Sequence, residues 1–375
     1  MHEIDKIDDF LPWLGKDKIA NITLQQLDLV PFEQNIIKIL FSDCLFLGCK
    51  MTPEMMSHLY RDNYIFPEIK MPYNIYPKAL YTKESLFEGF NPSEPDTYEL
   101  TPDKKIYNYY IRHAKDSHNI KETLAKRLHD HSITDALQEF VQEYDSHKVV
   151  AIMGGHGMSR NSESYKQIVN IARSLTLDGY LLISGGGPGA MEATHVGAWF
   201  AGVDDEMLNE VFEILSQAPL YTDKRWLSTA FEVLSMYPTS QYKSLGIPTW
   251  HYGHEPPTPF ATHIAKYFAN SVREEGLLAI AKGGVIFTPG SAGTMQEIFQ
   301  DLAQNHYQSF GVSSPMVFLD KKYWTEDRPI FPVLDYMVQH GKIKNIDLAI
   351  YDEPNMILNH IRSYTEKVHI QTKNQ

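Results

Sequence analysis

The sequence predicts an α/β protein with a doubly wound parallel sheet, and the pattern that predicts it begins near Lys148. From there, short apolar runs typical of buried strands alternate with helical patterns. Repeated β–α units of this kind place helices on both faces of a parallel sheet. The predicted strands cover 148–153, 180–184, 247–252, 284–288, 315–319 and 346–350. The predicted helices cover 160–177, 189–201, 260–282, 293–307, 323–340 and 353–366.

Three of the predicted strands end in glycine-rich turns. These turns are Gly154-Gly-His-Gly157, Gly185-Gly-Gly-Pro-Gly-Ala-Met-Glu192 and Pro289-Gly-Ser-Ala-Gly-Thr-Met-Gln-Glu297. Ligands of parallel sheets bind at the carboxyl ends of the strands, and glycine lets backbone N–H groups approach a phosphate closely. Neither the P-loop pattern nor G-x-G-x-x-G is present, which disfavours a P-loop NTPase and an ordinary dinucleotide dehydrogenase. The turns therefore predict a phosphate site of another kind.

The second and third turns resemble the two signature loops of the LOG family of phosphoribohydrolases. The family pattern for the later loop is P-G-G-x-G-T-x-x-E, and Ser291 stands here at the second glycine. Gly155-His156 and Glu255-Pro-Pro-Thr-Pro259 further resemble the larger bacterial nucleotide 5′-monophosphate nucleosidases. The resemblance covers roughly residues 148–320.

The resemblance implies a Rossmann-like fold and a reaction. The enzymes of this family hydrolyse a nucleoside 5′-monophosphate to free base and ribose 5-phosphate, without a metal or an organic cofactor. They form homodimers or larger homo-oligomers through helices next to the active site. We therefore expect a LOG-like domain over 148–370, a nucleotide as ligand and a homo-oligomer.

The resemblance also implies a catalytic pair, Arg273 and Glu297. Breaking an N-glycosidic bond builds positive charge on the ribose, which a carboxylate stabilises. Arg273 matches the family's arginine when residues are counted forward from Glu255. When residues are counted back from Pro289, Arg273 lies one residue further away than the family's arginine does. It is followed by Glu274, whereas lysine is common at that position in the family. One inserted residue near 282–284 would reconcile the two counts.

Both members of this pair have a purely structural alternative. Thr294-Met-Gln-Glu297 also fits a capping box, in which Thr294 caps a helix and Glu297 returns a hydrogen bond. Arg273 could be a solvated helix residue paired with Glu274 or Glu275.

The remaining candidates are expected to contact phosphate, ribose or base. His156 could instead be a structural histidine, and Glu192 and Glu255 could merely satisfy turns. His251 and His254 would point to opposite faces of an extended segment, so we expect no metal site. The predicted substrate-binding residues are His156, Gly186, Gly187, Gly189, Met191, Glu192, Glu255, Pro289, Gly290, Ser291, Ala292, Gly293 and Thr294.

Two rival functions remain at this point. A non-catalytic nucleotide sensor would keep the phosphate loops and lose turnover, and Ser291 and the shifted Arg273 favour it. A pyridoxal-phosphate decarboxylase would need a Schiff-base lysine, and the glycine loops contain none.

Residues 1–147 have a different character, and we expect a mainly helical N-terminal extension of unknown role. Helical patterns cover 24–47, 53–61 and 104–144, and no internal repeat is visible. The stretch 64–102 is rich in proline and tyrosine, which predicts an extended arm that either packs over its own domain or crosses to a partner subunit. Residues 203–246 are expected to form a helical insertion or lid.

Composition limits the class of protein. The 375 residues carry a formal net charge of −13, which disfavours nucleic acid as a partner. Two cysteines, Cys44 and Cys49, favour a reducing compartment over a disulfide scaffold. The acidic N-terminus lacks the apolar region of a secretory signal, and no run reaches the roughly 20 apolar residues of a membrane helix. We therefore expect a cytoplasmic protein with no membrane partner.

Overall fold

A computed structural model describes residues 2–115 and 118–373, the side chains of 372 and 373 excepted. The chain forms two compact units. The first contains Met1–Ala79 and His113–Ala136, and the second contains Leu80–Arg112 and Leu137–Gln375. The expected boundary between residues 147 and 148 does not coincide with this division, since residues 80–112 belong to the second unit.

The first unit is a stack of short parallel strands. Its sheet has the order β1-β3-β5-β6, and β2 pairs with β4 separately. The strands are β1 (His2–Ile4), β2 (Lys18–Ala20), β3 (Ile22–Gln25), β4 (Leu40–Ser42), β5 (Leu45–Leu47) and β6 (Tyr64–Phe66). The helices among them are α1 (Ile7–Phe10), α2 (Glu33–Ile36) and α3 (Pro53–Leu59), with 3₁₀ turns at Leu11–Trp13 and Val30–Phe32.

The predicted helix over 24–47 is wrong, and so is a mainly helical character for residues 2–66. Asn21, Gln26 and Asp43 adopt φ values of +55°, +49° and +52°, which an α-helix excludes. They turn the chain directly after β2, β3 and β4, and the apolar side chains of the unit pack in one core. His2 pairs with Ile22, and Leu45 pairs with Tyr64. The unit is thus a structural repeat that the sequence does not display.

The second unit contains a seven-stranded parallel sheet with the order β10-β9-β8-β7-β11-β12-β13. Its strands are β7 (Val149–Met153), β8 (Leu181–Ser184), β9 (Ser244–Gly246), β10 (His263–Ile264), β11 (Gly284–Phe287), β12 (Pro315–Leu319) and β13 (Asp347–Tyr351). Chain order reverses between β7 and β11, the type of position where doubly wound sheets bind ligands. The predicted α/β class with a parallel sheet is confirmed.

Helices follow most of these strands. They are α7 (Glu163–Leu177), α8 (Ala190–Trp199), α9 (Asp205–Leu215), α10 (Trp226–Met236), α11 (Asn270–Ile280), α12 (Ala292–Tyr307), α13 (Phe331–Gln339) and α14 (Pro354–Lys373). Helices α4 (Lys83–Leu86), α5 (Pro102–Tyr109) and α6 (Ile120–Gln142) precede β7, and residues 120–136 of α6 belong to the first unit. Single 3₁₀ turns cover Pro95–Leu100, Ser146–Lys148 and Trp250–Tyr252, and π-helical turns cover Tyr110–Ala114 and Tyr323–Asp327.

Two predicted elements of this unit are wrong. The predicted strand over 247–252 leaves the sheet, because β9 ends at Gly246 and Trp250–Tyr252 forms a 3₁₀ turn. The predicted helix over 260–282 begins only at Asn270, since β10 occupies His263–Ile264. Within the residues described, no helix is both long and apolar enough to cross a membrane.

Helix α12 carries a buried carboxyl, Asp301. Its Oδ2 atom has no hydrogen-bond partner among the described residues, and neither has Nδ2 of nearby Asn305. Burial raises the pKa of Asp301 from 3.8 to about 8. The folded state therefore keeps this proton to a higher pH than the unfolded state does. The contribution of Asp301 to the free energy of unfolding falls as pH rises from about 4 to about 8.

We expect Asp301→Asn to stabilise the protein more at pH 8 than at pH 5, because asparagine has no charge to desolvate. The melting temperatures of both proteins at the two pH values measure the effect. Asp135→Asn, at an exposed position on α6, serves as the control and should show no such difference. An equal effect of Asp301→Asn at both pH values would mean that Asp301 is already ionised in the folded state.

Candidate functional site

The glycine-rich turns after β7, β8 and β11 meet around one cavity of about 360 Å³. It lies at the carboxyl ends of these strands, beside the reversal of chain order. The lining residues are Gly154, Gly155, His156, Gly185, Gly187, Met191, Pro248, Thr249, Tyr252, His254, Glu255, Arg273, Glu274, Ser291, Gly293, Thr294 and Glu297. Nine of the predicted site residues are among them.

Backbone hydrogen bonds join the three turns directly. The N–H of Gly155 donates to the carbonyl of Pro289 at 3.0 Å, and the N–H of Ala190 donates to the carbonyl of Gly155 at 3.2 Å. A Cβ on Gly189 would lie 2.3 Å from that same carbonyl oxygen, and its φ is +67°. Gly189 therefore permits the packing of one turn on another. It does not line the cavity, although a substrate contact was predicted for it.

Gly186 has a similar role. Its φ is +71°, and a Cβ there would lie 2.8 Å from Pro248 and 3.0 Å from Gly246. It holds the β8 turn against the end of β9 and does not line the cavity, contrary to the predicted substrate contact.

Arg273 points into the cavity from α11. It is only 8% exposed, and its Nε donates to the carbonyl of Ile247 at 2.7 Å. Its Nη1 lies 3.6 Å from Oε1 of Glu297. The alternative of a solvated Arg273 is therefore wrong, and forward counting from Glu255 identified the arginine that faces the cavity.

Glu297 projects from the second turn of α12 and meets Arg273 across the cavity. Burial raises the pKa of Glu297 to about 7. The positive charge of Arg273 acts to lower this pKa, and the negative charge of Glu274 acts to raise it. Glu274 is itself held by Nδ2 of Asn270 at 2.7 Å and by the amide of Gln296. The cavity therefore contains a guanidinium beside a carboxyl that exchanges its proton near neutral pH.

The capping-box alternative for Glu297 is wrong. Helix α12 begins at Ala292, with Ser291 as its N-cap and no side-chain capping bond. Thr294 is already inside the helix, so Glu297 lies too far along to return a bond to the cap. The N–H groups of a first helical turn have no partner within the helix and carry partial positive charge. Ser291, Gly293 and Thr294 place this helix end in the cavity wall.

Two histidines flank a second partly buried carboxyl. Nδ1 of His156 lies 3.2 Å from Oε1 of Glu255, and Nε2 of His254 lies 3.6 Å from the same oxygen. Burial raises the pKa of Glu255, while His156, His254 and Arg273 lower it. No group of three His, Cys, Asp or Glu side chains suited to a metal ion occurs in the described part of the chain.

Glu192 does not reach the cavity, so its predicted role as a ribose contact is wrong. Its carboxylate is fully buried and accepts two bonds from Arg160, at 2.7 Å from Nε and 2.6 Å from Nη2. The hydroxyl of Tyr165 donates to it at 3.0 Å. Nη1 of Arg160 donates in turn to Thr229 at 2.8 Å. Glu192 is thus the centre of a buried structural network.

Three more predicted contacts lie outside this cavity. Pro289 and Gly290 line a neighbouring cavity, which also touches His156 and Ser291. Ala292 is the first residue of α12 and lines neither one. The turn at the end of β11 thus has one face toward each cavity, which the linear motif could not indicate.

Sequence reasoning did not assign several residues that line the cavity. These are Gly154, Gly155, Gly185, Pro248, Thr249, Tyr252, His254 and Glu274. Half of them lie in 248–254, a segment that overlaps the predicted strand over 247–252. That segment is shaped by residues far away in sequence. Nε1 of Trp250 donates to Asp103 at 3.2 Å, and Gly253 lies so close to Tyr107 that a Cβ would meet its ring at 2.5 Å.

Comparison with known proteins identifies no family. No family model matches the chain, and no curated protein is significantly similar to it. Among solved structures it is similar to a molybdenum cofactor binding protein from the phototrophic bacterium Rippkaea orientalis. The two are 16% identical, the match covers 58% of this chain and 96% of the other, and the TM-score is 0.38. At this level the similarity implies nothing about function.

Proposed function

We propose that the protein is a LOG-like nucleosidase that hydrolyses the N-glycosidic bond of a nucleoside 5′-monophosphate. The products are the free base and ribose 5-phosphate. The observation that carries the proposal is the pairing of Arg273 with Glu297, 3.6 Å apart, in a cavity walled by glycine turns.

The phosphate is proposed to lie at the first turn of α12. Backbone N–H groups there attract an anion, and Gly293 leaves room for it. The carboxylates of Glu255, Glu274 and Glu297 repel a phosphate, so the anion is placed on the glycine side of the cavity. The sugar then extends toward Arg273 and Glu297.

In the proposed reaction, the bond between C1′ and the base nitrogen breaks as positive charge develops on the ribose ring. The carboxylate of Glu297 stabilises this charge and orients the water that attacks C1′. Arg273 donates hydrogen bonds to the substrate and keeps Glu297 in place. The water supplies the hydroxyl on C1′ and the proton that the departing base takes up. No metal or organic cofactor is part of the proposal.

A non-catalytic nucleotide sensor is the second candidate. One cation faces three carboxyls in the cavity, and Ser291 adds a side chain where the LOG pattern has glycine. Both features weaken binding of a dianionic phosphate relative to an all-glycine loop. A sensor would bind nucleotides without releasing base, and the two functions therefore differ in one measurable product.

Nucleotide binding should depend on the phosphate, because the turns offer N–H groups to an anion. We expect AMP, GMP, CMP or UMP to raise the melting temperature while the matching nucleoside does not. A ligand at 100 times its Kd stabilises a protein by about 2.7 kcal/mol. Equal stabilisation by nucleoside and nucleotide would contradict a phosphate site at α12.

Gly185→Ala should displace Arg273 without unfolding the protein. A Cβ at Gly185 would lie 2.1 Å from Nη2 of Arg273 and 2.6 Å from Sδ of Met191, both at the movable ends of side chains. Losing one charge-assisted hydrogen bond costs ~1.5–3 kcal/mol, so affinity for the nucleotide should fall roughly 10- to 100-fold.

Isothermal titration calorimetry with the best-binding monophosphate measures this change. Gly276→Ala on α11 is the matched control, because a Cβ there meets nothing within 4 Å. Unchanged affinity in Gly185→Ala would mean that Arg273 does not contact the nucleotide.

A further inference from the structure

A second cavity of about 390 Å³, more open to solvent than the first, adjoins the proposed active site. The two cavities share the wall formed by Gly155, His156 and Ser291. Two glycine-rich turns, after β7 and after β11, therefore separate two spaces of similar size. The proposed reaction occupies only one of them.

The two cavities differ in chemistry. The charged groups Arg273, Glu255, Glu274 and Glu297 all line the first cavity. The second has no Arg, Lys, Asp or Glu in its lining, and His156 on the shared wall is its one basic side chain among the described residues.

The lining of the second cavity combines hydroxyls with flat or apolar surfaces. Ser164 contributes a hydroxyl, and Met158 and Pro289 contribute apolar atoms. The hydroxyl of Ser159 accepts from the N–H of Asn161 and can still donate to a ligand, whereas that of Ser162 already donates to the carbonyl of Ser159 at 2.7 Å and caps α7. Tyr323 adds an aromatic ring, and its hydroxyl donates to the carbonyl of Gly290. Serine hydroxyls suit the hydroxyls of a sugar, and an apolar and aromatic lining suits the face of a base. This combination matches an uncharged nucleoside better than a second phosphate.

We infer that the second cavity binds a neutral nucleoside esterified to the phosphate of the substrate, so that the site accepts dinucleoside monophosphates as well as nucleoside monophosphates. This inference rests on the proposed placement of the phosphate at the start of α12. Ser291, the N-cap of that helix, belongs to the shared wall. With the nucleoside ester of the phosphate directed into the first cavity, another of its oxygens is proposed to carry the second ester past the shared wall into the second cavity.

The test compares two ligands on the full-length protein by titration calorimetry. The probes are AMP and adenylyl-(3′→5′)-adenosine, which has one phosphate between two nucleosides. We expect the wild type to bind the dinucleoside monophosphate within about tenfold of its affinity for AMP. Ser164→Trp fills the second cavity. It should lower the affinity for the dinucleoside monophosphate at least tenfold and change the affinity for AMP less than twofold.

Asn170→Trp, at an exposed position on the same helix α7, is the matched control and should change neither affinity. If Ser164→Trp does not fold, Gly157→Phe replaces it, because a Cβ at Gly157 meets nothing within 4 Å and this residue lines the second cavity. Wild-type protein that binds AMP and not the dinucleoside would overturn the inference, and so would a filled cavity that leaves dinucleoside affinity unchanged.

A different result would reject the proposed function without rejecting this inference. If both ligands bind in the expected way and neither releases base, the hydrolase proposal fails, but the inference that the second cavity binds a nucleoside is supported. If neither ligand binds but GMP, CMP or UMP does, that monophosphate and the dinucleoside monophosphate of its base replace the adenine pair in the test. If none of the four monophosphates binds, the phosphate placement on which both proposals depend is overturned.

Discussion

Replacing Glu297 with glutamine should lower the rate of base release by roughly 10²-fold or more, the scale on which one electrostatic stabiliser acts. Glutamine keeps the shape of the side chain and loses the negative charge opposite the developing cation. Because Glu297 is not a helix cap, the substitution should leave the fold near wild-type stability. Glu275→Gln, at an exposed position on α11, is the matched control and should keep full activity.

The pH profile of the wild type provides a second readout of the same residue. Burial raises the pKa of Glu297 to about 7, so the carboxylate form that the reaction needs predominates only above that pH. Activity of the free enzyme, as kcat/KM, should therefore rise with pH through about 7. The residual activity of Glu297→Gln should lack this rise. A variant that keeps both its rate and the rise would remove Glu297 from the mechanism.

Glu192→Ala should destabilise the protein by about 3–5 kcal/mol, the usual cost of removing one partner from a buried ion pair. It leaves the guanidinium of Arg160, which is 2% exposed, without its bidentate partner. It also removes the acceptor of the Tyr165 hydroxyl. Urea unfolding measures the difference in the free energy of unfolding.

An exposed ion pair offers the control for this experiment. Lys224 and Asp96 are 2.8 Å apart, and their side chains are 67% and 83% exposed. Such a pair contributes about 0–1 kcal/mol, so Lys224→Ala should change stability little. If Glu192→Ala instead kept its stability and lost nucleotide affinity, the predicted ribose contact would be correct after all.

The sheet could be predicted because its central strands β7, β8, β11 and β12 are fully buried. They lie within one residue of continuous apolar runs in the sequence, as expected for a parallel sheet between two helical layers. The edge strand β13 is only partly buried, but its apolar run still marked it within one residue. The glycine turns could be predicted for a similar reason, because close approach of backbone to backbone, as at Gly189, requires residues without a Cβ.

The N-terminal unit could not be predicted in the same way. Its strands are three or four residues long, too short for a clear period of two. Three of its left-handed turns are made by Asn21, Gln26 and Asp43, and a glycine, which would have marked the position, makes only the turn at Gly48 among the described residues of this segment. The apolar residues of 24–47 were therefore assigned to one helix.

The site could be predicted only in part, because charge partners are distant in sequence. Glu192 meets Arg160 from 32 residues away, so the motif alone could not distinguish a substrate contact from a buried ion pair. Arg273 and Glu297 were identified through the family resemblance. Tyr252 and His254 were missed, because the irregular segment that carries them is shaped by Asp103 and Tyr107.

The most direct test of the nucleosidase proposal is chromatographic detection of free base after wild-type protein is incubated with AMP, GMP, CMP and UMP in turn. We predict that at least one monophosphate yields base and ribose 5-phosphate in equal amounts, and that Glu297→Gln suppresses both products. Binding of these nucleotides with no base released from any of them would contradict the hydrolase and leave the nucleotide sensor.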